Sequence, residues 1–258
     1  MSRSLRLAFN PRGDLLAAAR DCEADIFSQC FGNTHEQLAQ EYEPYEANSV
    51  FLALADERDA VVACARILTS CRGPLKTIDD VQQPPWAVDA PRSAAAAGVD
   101  LARTWDIATM GVRPGLQADG VRMAFALYHG IITAVRVNNA AAIVAIVDER
   151  VRHLLASVGI VMQTLPGTEP APYLGSPASA PVFARVSSSV VRQRRDFPDA
   201  YRLITLGVGL EDVRVPPRDH FRLPAPADPF RLQPFEEPAA PARQPAAARQ
   251  LVGVAGPR

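Results

Sequence analysis

The sequence predicts an α/β protein built on one mixed sheet with helices on both of its faces. Three observations carry that expectation. Short apolar or β-rich runs at 50–55, 61–68, 105–112 and 140–147 alternate with helical patterns at 14–31, 119–137 and 148–159. The first two runs are separated only by Asp56-Glu-Arg-Asp59, which makes them an antiparallel hairpin. The last run, Ala140 to Val147, is apolar without a break, as in a central strand covered on both sides.

Taken in order, the first helix spans 14–31, with Asp14 as its cap and Leu15, Ala19, Ile26, Phe27 and Cys30 toward one side. After the hairpin, 71–103 is rich in small residues and proline and reads as an irregular excursion. Trp105 to Val112 is a strand stopped by Arg113-Pro-Gly115, and 119–137 is a long apolar helix. Asp148 caps the next helix, which places Val151, Leu154, Leu155 and Val158 at i, i+3, i+4 and i+7 and closes on Gly159. Ile160 to Leu165 returns as a strand, 182–191 is one further strand, and 198–209 is a closing element. Ten of the 23 prolines lie between Pro216 and Pro257, where they remove backbone donors and disfavour helix. The expected organisation is one domain over 1–212 and a disordered Pro/Ala-rich tail over 213–258, with Phe221, Phe230 and Phe235 as weak docking points.

Composition narrows the class. Hydrophobic residues make up 48% and charged residues 21% of the 258, the profile of a globular protein with a core. A net charge of −1 supplies no broad field to recruit nucleic acid. No apolar run approaches the roughly 20 residues that span a bilayer, and the N-terminus lacks the apolar stretch of a secretion signal. Cys22, Cys30, Cys64 and Cys71 form no Cys-x-x-Cys pair, which suits a reducing compartment. No zinc spacing, Ser-His-Asp triad or phosphate-binding lysine loop is present. The expectation is a soluble cytoplasmic protein with no metal, no nucleic-acid partner and no membrane span.

The chemistry concentrates where the 105–112 strand turns into the next helix. A helix start exposes unpaired backbone N–H groups that can receive a pyrophosphate. Gln117, Gly120 and Val121 stand at that turn, and glycine lets a ligand approach the backbone closely. The pattern Gln117-x-x-Gly120-x-Arg122 resembles the Gln/Arg-x-x-Gly-x-Gly/Ala turn of the GNAT superfamily, which binds the pyrophosphate of coenzyme A. Arg122 departs from the last small residue, and Asp119 puts a negative charge nearby. A donor held on acyl carrier protein is hurt less by both departures.

A second resemblance is more specific. Glu41-Tyr-Glu-Pro-Tyr-Glu46 resembles the Glu-x-Asp-x-Tyr-Asp segment of the acyl-homoserine-lactone synthases, a GNAT branch. Ala65-Arg-Ile-Leu-Thr-Ser-Cys-Arg-Gly-Pro74, Trp105-Asp106 and Tyr173-Leu-Gly-Ser-Pro177 resemble later segments of that branch, in the same order. Four residues before Phe27 that branch has an arginine of its S-adenosylmethionine site, where this chain has Glu23. That acceptor is therefore not carried over, and the N-acyl amino acid synthases are the nearer comparison.

The resemblance implies a GNAT-like sheet splayed beside the 105–112 strand. It also implies an N-acyltransferase that moves an acyl group from acyl-CoA or acyl-ACP to a small amine or amino acid. Backbone N–H groups near Met110, Gly111 and Val112 then polarise the thioester carbonyl, Asp106 receives the proton, and Tyr173 protonates the leaving thiolate. Glu43 and Glu46 attract the acceptor amine, and Arg66 organises them or binds an acceptor carboxylate. The alternative is a catalytically inactive domain of the same fold that binds an acyl ligand or a protein partner.

Overall fold

Residues 4–224 are described in a computed structural model, apart from the side chains of 117–119. The chain runs β1 (Leu5–Phe9), α1 (Asp14–Phe31), α2 (His35–Tyr42), a 3-10 turn (Glu43–Asn48), β2 (Ser49–Ala55) and β3 (Val61–Thr69). The excursion carries α3 (Lys76–Asp80) and α4 (Ala90–Ala96) and leads into β4 (Thr104–Val112), α5 (Gln117–Val137), β5 (Ala142–Asp148) and α6 (Glu149–Ser157). Then come β6 (Gln163–Thr164), β7 (Ala171–Tyr173), β8 (Ser176–Arg185), α7 (Val186–Asp196), α8 (Pro198–Ala200), a π-helix (Tyr201–Thr205) and β9 (Val213–Arg214).

The strands form one open sheet in the order β6-β8-β5-β4-β3-β2-β1-β9, with β7 attached to β8. Its centre is mixed: β3 and β4 pair antiparallel, β4 and β5 parallel, and β5 and β8 antiparallel. Because side chains alternate along each strand, the two faces of β2 sort cleanly. Val50, Leu52 and Leu54 pack with Met123, Ala126 and Leu127 of α5, while Phe51 and Ala53 pack with Ala19, Cys22 and Ile26 of α1. Helices therefore cover both faces, as expected.

Several local expectations are corrected. Asp14 is the first residue of α1, and its N-cap position belongs to Gly13, without a side-chain cap. Strand β8 ends at Arg185, where its partner β5 begins at Ala142, so 186–191 has nothing to pair with. That segment is helical, with Val186 and Gln193 buried seven residues apart and the arginines turned outward. Gly159 does close α6, at φ 77° just past its C-cap.

The domain boundary at 212 falls too early. Strand β9 pairs parallel with β1, Phe221 and Leu223 are buried, and the Phe221 ring lies 5.4 Å from that of Phe9. The Asn138 side chain donates to the Phe221 carbonyl at 2.7 Å and accepts from the Leu223 N–H at 2.8 Å. The prolines at 216 and 217 sit between packed residues here and do not exclude them from the core. The rest of the expected tail, 225–258 with Phe230 and Phe235, lies outside the described residues. Among the described residues no helix is long and apolar enough to cross a membrane.

Candidate functional site in the splay between β4 and β5

Strands β4 and β5 pair only over Thr104–Asp106 and Ala142–Val144. Beyond that point no ladder joins Ile107–Val112 to Ala145–Asp148, so the sheet opens along the side of β4 that faces β5. On its other side β4 stays paired with β3, except that Ala108 is an extra residue between the Arg66–Thr109 and Ile67–Ile107 pairs. Such a bulge bends and twists a strand. The Tyr42 hydroxyl donates to the Ala108 carbonyl at 3.1 Å, which satisfies the group that the bulge takes out of the ladder.

The direction of the N–H groups follows from one hydrogen bond. Arg113 donates its N–H to the Val62 carbonyl at 2.8 Å, and the register continues Ala63–Val112, Cys64–Gly111 and Ala65–Met110. In an antiparallel pair alternate residues point toward the partner, so Arg113 and Gly111 face β3 while Val112 and Met110 face the splay. This corrects the expectation for Gly111. Its N–H belongs to the ladder, and a Cβ there would lie 2.7 Å from Cγ2 of Ile26, so the glycine is needed for the approach of α1.

A cavity of about 220 Å³ runs through the splay. On one face it meets Phe27, Phe31, Tyr42 and Tyr173; on the other it extends beneath α5, α6 and α7 among Ile132, Ala145, Leu155 and Val190. Most of the wall is apolar. Asp148 is the single charged residue among the described residues that line it. As N-cap of α6, Asp148 accepts from the Arg150 N–H at 2.8 Å and from the Ser176 hydroxyl at 2.7 Å. The hydrogen bond from the Arg150 side chain, with that from Ser176, holds its carboxyl down at about 2 despite partial burial.

Of the two expected catalytic residues, Asp106 stands outside the cavity and Tyr173 lines it. Asp106 is fully buried and accepts from the Thr77 N–H at 2.6 Å and the Thr77 hydroxyl at 2.9 Å, so it anchors α3 to β4 and does not line the cavity. Burial pushes its carboxyl from the ordinary 3.8 up to about 7, against the two Thr77 donors. The folded protein thus holds this proton more tightly than the unfolded chain. That contribution to stability is fully present below about pH 4 and is lost as pH rises toward about 7. Asp106→Asn should remove the dependence, so urea denaturation should show the variant gaining on the wild type across this range. A gap that stays constant would contradict it.

Tyr173 does line the cavity, but its hydroxyl donates to Asp80, and burial, with the nearby Asp80 carboxylate, raises its pKa above that of an ordinary phenol. A phenol that holds its proton so firmly is a poor acid toward a thiolate. Lys76, also buried, bonds Glu41 and Asp80 at 2.5 and 2.7 Å and sits 5.5–5.8 Å from the rings of Tyr42, Tyr45 and Tyr173. It fixes the aromatic wall by ion pairs and cation–π contact.

The expected acceptor residues form a separate network behind β4. Arg66 is buried and bonds Glu23 at 2.6 Å, Glu46 at 2.6 Å and the Ser49 hydroxyl at 3.1 Å. Glu46 also meets Arg20. Burial opposes its charge, but Arg66 and then Arg20 bring its pKa below the usual carboxylate value. Thr109 donates to Glu23, which ties the network to the strand beside the bulge. Glu43 is exposed in the 3-10 turn. None of Glu43, Glu46 and Arg66 lines the cavity.

Of the expected donor-side residues, Gly120 stands in the first turn of α5 with open space where a Cβ would be. Val121 beside it is 70% exposed. The side chains of Gln117 and Asp119 lie outside the described residues, and Arg122 is ion-paired with Asp212. Helix α5 starts without a side-chain cap, which leaves its first N–H groups for other partners. Sequence reasoning missed Tyr42 as the partner of the bulge, Lys76, and Asp148 as a residue of the cavity wall. Asp148 had a signal, its N-cap position, which speaks of the helix and not of the space in front of it.

No protein-family model matches the chain, and no curated protein matches it. Among solved structures it is similar to a CoA-dependent acyl-homoserine lactone synthase, BjaI, with SAM and isopentyl-CoA, at 15% identity and a TM-score of 0.54, covering 85% of this chain and 97% of that one. It is also similar to FeeM, an N-acyl amino acid synthase from uncultured soil microbes, at 11% identity and a TM-score of 0.55, covering 74% of this chain and 95% of that one. The likeness is one of fold, and the fold is GNAT-like.

Proposed function

We propose that the chain is an N-acyltransferase whose donor is an acyl thioester and whose acceptor is a small amine. The carrying observation is the cavity, which passes between two strands that stop pairing and is apolar along most of its length. An acyl chain fits its α5–α7 side, and the thioester carbonyl then lies in the splay, where the N–H groups of Met110 and Val112 polarise it. The first turn of α5 at Gly120 and Val121 suits the phosphate-bearing arm of the donor, on coenzyme A or on acyl carrier protein. The acceptor approaches from the aromatic side, past Phe31 and Tyr173. With Arg66 taken up by Glu23 and Glu46, no cation among the described residues of the wall awaits a carboxylate, so a plain amine suits the site better than an amino acid.

The test is thiol release from acetyl-, octanoyl- and decanoyl-CoA and from the matching acyl-ACP, with a panel of amines. Release with the long thioesters and an amine is the expected result, and Ala145→Phe, which fills the cavity, should suppress it. One observation favours a second reading, an acyl-binding domain without turnover: among the described residues the wall holds no side chain basic enough to take a proton at neutral pH. Tight binding of long thioesters with no thiol release under any amine would select that reading.

A further inference from the structure

The cavity is mostly apolar, with polar side chains around Asp148 and again at its far end. Helix α6 runs away from Asp148, and over its 9 residues it covers about 13 Å. At its C-terminus the Val158 carbonyl accepts from Nε2 of Gln193 at 3.1 Å. The N–H of Val186, at the start of α7, bonds the Ala141 carbonyl, so α7 begins at the end of β5 opposite Asp148. The part of the wall that α7 and the π-helix supply is therefore the floor, remote from the splay. Gln193 and Thr205 line it, only 4% and 6% exposed.

Both side chains keep hydrogen-bonding capacity in hand. A glutamine amide has two N–H donors and two acceptor sites. Gln193 gives one N–H to Val158 and accepts once from the Thr205 hydroxyl at 3.0 Å. The Val158 carbonyl fixes the orientation of the amide, because a flipped amide would set two oxygens against each other. No described residue takes the second N–H or the free lone pairs of Thr205. Such groups facing a hydrocarbon end lose water without compensation. The π-helix, a rare widened turn often found at functional sites, brings Thr205 to this place. His129 Nδ1, 2.9 Å from the Ile204 carbonyl, holds it there.

We propose that the acyl donor ends in a hydroxyl group, and that Gln193 and Thr205 recognise it. A hydroxyl both donates and accepts, matching the free lone pairs and the free N–H at the floor. This inference rests on the acyl-donor reading of the cavity and adds the chemistry of the chain's far end. The same pair also ties α7 to α6 and to the π-helix, so the test must separate recognition from structure.

The experiment is calorimetric titration of the full-length protein with decanoate and with 10-hydroxydecanoate, followed by thiol release from the two CoA thioesters. The hydroxy acid should bind about tenfold more tightly, the worth of one or two net hydrogen bonds. Gln193→Leu with Thr205→Val should abolish or reverse that preference while decanoate binding persists. If the double variant does not fold, Thr205→Val alone must narrow the gap. Equal binding of the two acids to the wild type overturns the proposal and leaves the acyl-donor reading standing, as does a preference that survives Thr205→Val. If neither acid binds and neither thioester releases thiol, the acyl-donor reading falls and the proposal falls with it.

Discussion

Replacing Met110 with proline is expected to lower thiol release about a hundredfold or more, the usual cost of losing one donor that polarises a reacting carbonyl. Backbone donors are normally out of reach of mutation, but proline deletes one N–H. The position is chosen by geometry. Met110 faces the splay, so its N–H is not a rung of the β3–β4 ladder, and proline is tolerated in a strand where no ladder bond is lost. Met110→Leu keeps the N–H and controls for the side chain; it should retain most of the activity. Gly111 makes the complementary control. Gly111→Ala should destabilise by about 1–3 kcal/mol through overpacking against Ile26, and lower activity only as far as the fold is lost. If Met110→Pro folds, by circular dichroism and melting, and turns over normally, the polarising role belongs elsewhere.

The largest effect on stability should come from Arg66→Ala. Arg66 sits between the carboxylates of Glu23 and Glu46 and lies 4.5 Å and 4.7 Å from the ring centroids of Tyr42 and Phe51. Removing it leaves Glu23, 2% exposed, as a buried charge without its cation, and such a break costs about 3–5 kcal/mol. Replacing both partners tests the cause. Arg66→Met with Glu23→Leu leaves no orphaned charge and should recover much of the loss, because well-packed apolar pairs often match buried ion pairs. Urea denaturation of the two variants measures this. A loss below about 1 kcal/mol for Arg66→Ala would mean that water reaches Glu23 and that the network is a surface feature.

What the sequence made legible follows from the range of the forces involved. Helices α1, α5 and α6 and strands β2, β3, β4 and β5 came out close to their observed bounds, because each has a local period of apolar residues. Strand β1 shows the alternation Leu5, Arg6, Leu7, and α2 carries a Thr34–Gln37 capping box, yet both are short and their signals are small. The switch from strand to helix at Val186 is not legible because Val182 to Val191 is β-rich throughout, and only the end of the partner strand at Ala142 decides the matter. The splay beside β4 was legible from the strand-turn-helix at 105–122. The roles within it were less so. Asp106 and Arg66 look like chemistry in a string of letters, but their partners Thr77 and Glu23 are 29 and 43 residues away and enclose them. Which N–H groups are free is a matter of register, and a sequence alone does not set register.

The central claim is that an acyl thioester lies in the splay with its carbonyl against β4. The most direct measurement is a crystal structure of the protein with a non-hydrolysable thioether analogue of decanoyl-CoA that keeps the acyl carbonyl. The account predicts the carbonyl oxygen within hydrogen-bonding distance of the Met110 or Val112 N–H and the acyl chain between β5 and α5, reaching toward Gln193. An analogue bound outside the β4–β5 opening, or one that leaves the cavity empty at saturating concentration, would contradict it.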